Sequence, residues 1–142
     1  MNRLWVLDTD TVSLIQRGRE ALRQRLLITP PEQIAVTVIT LFEQLRGRLA
    51  DVNSAREGTL QLLQAYRRLQ ETAVYYCNVM VLPFDDAAEV QLMELREQKV
   101  RLSTQDLRIA AIVLSVDGIL VMCNTRDFRQ VPGLPFEDWS RA

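Results

Sequence analysis

The stretch Leu4-Trp5-Val6-Leu7-Asp8 sets a pattern that recurs along this chain. Four apolar residues followed by an acid are typical of a short buried strand with a polar group at its carboxyl end. Thr9 or Asp10 can cap a helix that follows directly. The stretch therefore predicts a strand-to-helix unit with an acidic side chain at the junction.

Short apolar strands alternate with helices along the rest of the sequence. Further strands are predicted at Ile34–Ile39, Val79–Leu82 and Ile119–Met122, with a short edge strand near Leu134–Phe136. Strands that alternate with helices form βαβ units. We therefore expect an α/β protein with three α/β/α layers around a central parallel sheet of about four to five strands.

Two helices are predicted between the second and third strands. Thr40 is expected to cap the first, a turn is expected at Asp51–Ser54, and a long second helix should run to about Tyr75.

Composition limits the possible functions. The chain has 142 residues, 48% of them hydrophobic and 25% charged, which predicts one domain over residues 1–142. A net charge of −1 excludes a wholly basic nucleic-acid protein but allows a local basic face. Histidine is absent, which removes Ser-His-Asp and Cys-His catalysis and every metal site that needs imidazole.

Several features predict a cytoplasmic protein without membrane contact. The sequence has no apolar run of membrane-spanning length, and Asp8 and Asp10 do not fit a signal peptide. Cys77 and Cys123 lie far apart without CxxC spacing, so we interpret them as two buried, reduced thiols.

Four acids are predicted to lie at the carboxyl edge of the sheet: Asp8, Glu43, Asp106 and Asp127. Clustered carboxylates repel one another, and a divalent cation relieves that repulsion. Oxygen ligands without His or Cys favour Mg²⁺ or Mn²⁺, which suits phosphodiester hydrolysis. Each acid alone also fits a simpler role as a helix cap or first-turn acid, and spacing leaves both interpretations open.

Four motifs follow one another over nearly the whole chain: Leu7–Thr9, Val38–Leu45, Asp106–Ala111, and Asn124–Phe128 followed by Val131–Leu134. This ordered set resembles the motifs of the PIN-domain family. The closing Glu137-Asp138-Trp139 also resembles the end of VapC-type toxins. The resemblance implies a Mg²⁺- or Mn²⁺-dependent endoribonuclease, the toxin of a type II toxin–antitoxin pair. It also implies an RNA substrate, with tRNA as a candidate, a cognate antitoxin and a homodimer.

The resemblance assigns roles to individual residues. Asp8 and Asp106 become the central metal ligands, Glu43 completes the ligand shell or orients the water, and Asp127 holds a second metal or its waters.

Supporting roles follow for neighbouring polar side chains. Thr9, Thr40 and Asn124 become supporting polar groups around the acids, although capping explains the two threonines equally well.

The sequence departs from the family pattern at two places. Many relatives have an acid where Asn124 stands, whereas this chain has its acid three residues later, and both arrangements occur in the family. Met122-Cys123 stands where a Thr or Ser is common, which would weaken metal or substrate positioning.

Arginines supply nearly all of the positive charge, because Lys99 is the only lysine among 17 basic residues. Arg46, Arg48 and Arg126 are candidates for RNA contacts, since guanidinium groups bind phosphate in bidentate fashion. The pair Arg67-Arg68 is interpreted as a solvated helix face.

Other functions remain open at this point. A catalytically degenerate PIN-like module would bind RNA or protein without cutting it. A DNA-directed nuclease would use the same acids, because metal-assisted chemistry does not itself select the sugar. A phospho-accepting receiver domain needs a lysine at a strand end, and Lys99 does not follow a strand.

Overall fold

A computed structural model describes residues 3–141 and shows a five-stranded, wholly parallel sheet. The strands are β1 (Trp5–Leu7), β2 (Ile34–Thr37), β3 (Met80–Leu82), β4 (Ile119–Val121) and β5 (Phe136–Glu137). Their order in the sheet is β3-β2-β1-β4-β5, so β1 is central. The predicted α/β class and parallel sheet are confirmed.

Seven α-helices connect and flank the strands within the described residues. They are α1 (Thr9–Gln16), α2 (Glu20–Ile28), α3 (Val38–Ser54), α4 (Leu60–Cys77), α5 (Asp86–Glu97), α6 (Thr104–Ser115) and α7 (Thr125–Phe128), with a 3-10 turn at Pro31–Gln33. None of the helices that the structure describes is long and apolar enough to cross a membrane.

Alternating strand residues separate the core into two halves. Val6 and Leu120 face a cluster that contains α5 and α6, whereas Leu7 and Val121 face a cluster with α1, α2, α4 and Trp139. The side-chain period of two in each strand requires this alternation. The two clusters make the three layers predicted from the sequence.

Local boundaries differ from the predictions at β2. The strand ends at Thr37, whose hydroxyl caps α3 by accepting from the Thr40 amide at 3.2 Å. Val38 and Ile39 were predicted as strand because they are β-branched, but they form the first turn of the helix, where Ile39 packs into the core.

The helix α3 also continues through Asp51–Ser54, so the predicted turn is wrong, and the chain turns instead before Thr59, the cap of α4. The final strand is Phe136–Glu137, so it overlaps the predicted Leu134–Phe136 only at Phe136. Both cysteines are free, but the predicted burial is wrong, because Cys77 is exposed and Cys123 is only half-buried.

Gly118 lies where α6 turns into β4 against the start of β1. A Cβ atom there would meet the Leu4 carbonyl oxygen and Val6 Cγ2, each at 3.2 Å. Gly47 contrasts with it, because a Cβ on that glycine would meet nothing within 4 Å.

We expect Gly118→Ala to lower the free energy of unfolding by about 1–3 kcal/mol, because a backbone carbonyl must move to admit the methyl group. The matched change Gly47→Ala, in the interior of α3, should raise it by about 1 kcal/mol through helix propensity. Urea denaturation of both variants checks the pair. Equal effects of the two substitutions would contradict the role given to Gly118.

Candidate active site

Asp8 lies at the carboxyl end of the central strand and is 4% exposed. Its carboxylate caps α1, with Oδ1 accepting from the Thr11 amide at 2.9 Å. Its own amide donates to the carbonyl of Val121 at 3.0 Å, which ties it to β4. Asp8 is therefore the helix cap, not Thr9 or Asp10, and the same carboxylate is also a site candidate.

Burial raises the pKa of Asp8 to about 7. The hydrogen bonds from Thr11 oppose this shift, and the negative charges of Asp10 and Asp106 add to it. A carboxyl group held here without a counter-charge therefore ionises reluctantly.

Asp106 lies in the first turn of α6, whose cap is Ser103. Burial is the main cause that raises its pKa, and the charges of Glu43, Asp10 and Asp127 raise it further. The structure thus brings the four predicted acids into one electrostatic neighbourhood, as expected for the carboxyl edge of a parallel sheet.

Glu43 is oriented by two threonines from different helices. The Thr9 hydroxyl donates to Glu43 Oε1 at 2.7 Å, and the hydroxyls of Thr9 and Thr40 lie 3.0 Å apart. Both threonines predicted to support the acids therefore contact the site, and neither is a helix cap.

Asp127 lies in the short helix α7, in a segment where Asn124 is the cap. Asn124 Nδ2 donates to Asp127 Oδ2 at 2.6 Å, and the Asp127 amide faces Asn124 Oδ1 at 3.4 Å. The neighbouring Met122 is fully buried and packs into the core.

Asp10 also belongs to the acidic edge. The sequence offered it as a helix cap, whereas it is exposed in the first turn of α1 and its charge acts on both Asp8 and Asp106. The Asp-x-Asp spacing at Asp8 was the signal for it.

The donor set fits a hard divalent cation in its chemistry. The acidic edge has five carboxylates: Asp8, Asp10, Glu43, Asp106 and Asp127. Within residues 3–141, none of them forms a salt bridge with a basic side chain within 4 Å. Within those same residues, no three acidic or cysteine side chains converge tightly enough to form a ligand shell. The site therefore offers excess negative charge and oxygen donors, and a bound cation would have to draw the carboxylates together.

The predicted arginines have different surroundings. Arg48 donates through Nε to the Thr72 hydroxyl at 3.0 Å. Arg46 stacks over Phe42, with its guanidinium carbon 5.4 Å from the ring centroid. Arg126 is exposed on α7, one residue before Asp127.

A partly buried polar cluster connects α1, α3 and α4 behind Glu43. The amides of Gln16 and Gln44 exchange two hydrogen bonds of 3.1 Å, and the Tyr76 hydroxyl donates to Gln44 Oε1 at 2.8 Å. Because Gln44 follows Glu43 on α3, this cluster restrains the helix that carries the carboxylate.

The comparisons with known proteins cover almost the whole chain. No family model matches it. It is 27% identical over 140 residues to the tRNA(fMet)-specific endonuclease VapC of Salmonella typhimurium, covering 95% of this chain and 97% of that protein. It is 24% identical over 142 residues to ribonuclease VapC1 of Haemophilus influenzae strain R2866, covering 97% and 99%.

Two solved VapBC complexes contain a chain with this fold. A chain of the DNA-bound VapBC complex of Salmonella typhimurium superposes with a TM-score of 0.77 at 25% identity, covering 96% of this chain and 98% of that one. VapBC-1 of nontypeable Haemophilus influenzae superposes with a TM-score of 0.75 at 21% identity, covering 97% and 99%, and so shows the fold alone.

The five-stranded parallel sheet flanked by helices matches the fold of the VapC chains in these complexes. The full-length similarity to VapC ribonucleases and to chains of VapBC complexes supports the resemblance to PIN-domain proteins of the VapC type.

Asp8→Asn is expected to stabilise the protein at high pH. The folded pKa of about 7 lies above the ordinary value of 3.8, so the stability that Asp8 contributes is complete below about pH 4 and is lost as pH rises through 7. Asparagine keeps the cap without the charge. In chelator at pH 8, the variant should exceed wild type by on the order of 2–4 kcal/mol. At pH 4 the difference should nearly vanish.

Thermal denaturation across this pH range is the measurement. Asp51→Asn, on the exposed face of α3, is the matched control and should follow the wild-type curve. If the melting temperatures of wild type and Asp8→Asn differed by the same amount at every pH, the raised pKa assigned to Asp8 would be refuted.

Tyr76→Phe should lower the free energy of unfolding by about 1 kcal/mol, because it removes one buried hydrogen bond to Gln44 and leaves the amide pair with Gln16. Urea denaturation checks this, and Tyr66→Phe on the exposed face of α4 should have no effect.

Proposed function

We propose that this chain is a Mg²⁺- or Mn²⁺-dependent endoribonuclease that hydrolyses RNA phosphodiester bonds as the toxin of a type II toxin–antitoxin pair. The observation that carries the proposal is the edge of unpaired carboxylates whose mutual charge and burial raise the pKa values of Asp8 and Asp106. Similarity to relatives named as ribonucleases supports RNA as the substrate.

The carboxylates would divide the work according to their positions. Asp8 and Asp106 would hold the cation, because Asp8 is buried at the end of the central strand and Asp106 lies half-buried in the first turn of α6, within range of its charge. Glu43 and Asp127 would complete the ligand set or hold its waters. A bound Mg²⁺ or Mn²⁺ supplies Lewis acidity to the phosphate and to water and offsets the charge of the transition state.

Neighbouring side chains would orient the acids and the substrate. Thr9, supported by Thr40, holds one oxygen of Glu43 and leaves the other free. Asn124 does the same for Asp127. For the RNA backbone, we assign phosphate contacts to Arg46, Arg48 and Arg126.

The biological setting follows from the relatives. The tRNA(fMet)-specific name of the Salmonella relative supports tRNA as the substrate class. The VapBC complexes among the structural neighbours support a cognate antitoxin partner. We further propose a homodimer, each chain folded as one domain over residues 1–142, acting in the cytoplasm.

Purified, antitoxin-free protein should cut labelled tRNA and other structured RNA with Mg²⁺ or Mn²⁺ and should stop when chelator is added. Asp8→Asn and Asp106→Asn should each lower the rate on the order of 100-fold or more, as expected when a transition-state contact is lost. Asp51→Asn serves as the control for a surface charge change and should retain wild-type activity.

The other outcomes separate the alternatives. Cutting that survives chelator and both substitutions would indicate a contaminant and refute the proposal. No cutting, with Mn²⁺ binding by calorimetry that disappears in Asp106→Asn, would indicate a different substrate such as DNA. No cutting and no Mn²⁺ binding would leave the catalytically degenerate PIN-like module.

A further inference from the structure

A groove of about 700 Å³ extends from the carboxylate edge between α1, α3 and α4. Each helix contributes one face, at helical spacing. Its lining includes Thr9 and Arg17 at the two ends of α1, Glu43 and Arg48 of α3, and Arg68 and Tyr75 of α4. Thr9 and Glu43 belong to the site, so the groove and the site are continuous.

The arginines of the groove lie away from the carboxylates. Arg17 is eight residues beyond Thr9 on α1, which places it about 12 Å further along the helix axis. Gln44 contacts Tyr76 and Arg48 contacts Thr72, so α3 and α4 are antiparallel. Along the groove, Arg48 therefore lies beyond Glu43, and Arg68 lies further from Glu43 than Arg48 does.

These guanidinium groups are available to an anion. In the part of the chain that the structure describes, Arg17, Arg48 and Arg68 form no salt bridge, and the one side-chain hydrogen bond among them joins Arg48 Nε to Thr72. That bond aims Arg48 and leaves its two terminal nitrogens free. Arg68, interpreted from sequence as part of a solvated helix face, is indeed exposed, and it also lines this groove.

We propose that this groove holds the RNA strand beside the scissile phosphate, with Arg17, Arg48 and Arg68 binding phosphates of neighbouring nucleotides. The inference rests on the proposed nuclease function and adds the path of the substrate. Discrete contacts are expected rather than a uniform basic surface, because Glu71 also lines the groove. The half-buried ring of Tyr75 offers a surface on which a base can stack.

The first test measures RNA binding without cleavage. The probe is a fluorescein-labelled single-stranded RNA of about 12 nucleotides in chelator, with Kd followed over roughly 50–200 mM KCl. The double variant Arg17→Gln/Arg68→Gln should weaken binding roughly tenfold and reduce the salt slope by about 1.4, since each single-strand phosphate contact contributes about 0.7.

The matched control is Arg56→Gln/Arg67→Gln, which removes the same charge from exposed positions outside the groove. It should change Kd less than about twofold and leave the salt slope unchanged. Equal losses in both double variants, or no loss in either, would overturn the proposal.

Gly47 allows a test that does not depend on removing charge. Its position in the groove has open space for a side chain, and any residue but proline improves the helix there. RNA affinity should fall progressively from Gly47→Ala to Gly47→Leu, while the melting temperature stays at or above the wild-type value. Wild-type RNA affinity in Gly47→Leu would overturn the proposal.

Cleavage assays separate this proposal from the nuclease function itself. If wild type cuts RNA and the groove variants keep the wild-type KM, the groove proposal fails and the nuclease stands. If wild type does not cut RNA but the groove variants still lose binding relative to their control, the nuclease proposal fails and the groove stands.

Discussion

The buried carboxylate of Asp8 connects the central strand to the first helix, and the site is arranged around it. Its side chain caps α1 while its amide bonds to β4, so strand, helix and neighbouring strand meet at one residue. Burial makes the negative charge costly, and the surrounding acids increase that cost. A bound divalent cation would offset the clustered negative charge that adds to this cost.

The two halves of the core keep that junction rigid. Trp139 is almost fully buried, with its ring 5.2 Å from Trp5 and the Arg25 guanidinium 4.6 Å above it. Its indole nitrogen donates to Glu137, which also pairs with Arg25. Trp139 therefore packs in the same core cluster as α1 and α2. Hydrogen bonds from Gln44 and Arg48 join α3 to α4, and the groove lies beside these contacts.

Most of the fold could be predicted from local patterns, and the errors have a physical cause. Val38 and Ile39 carry strand propensity, yet the Thr37 cap and the burial of Ile39 against the core place them in a helix. Asp51–Ser54 resembles a turn, but it continues α3, which packs along α4. Tertiary contacts outweigh local preferences of less than about 1 kcal/mol per residue.

The sequence by itself determined the succession of strands and helices along the chain, the absence of imidazole chemistry and the candidate acids. These depend on residue type and on short spacing. Only the tertiary structure decided which charged side chains lie close enough to shift one another's pKa. It added Asp10 to the acidic edge and placed Arg17 and Arg68 on one groove. Those distances join residues far apart in the chain, and they depend on strand register and helix packing, which no local pattern encodes.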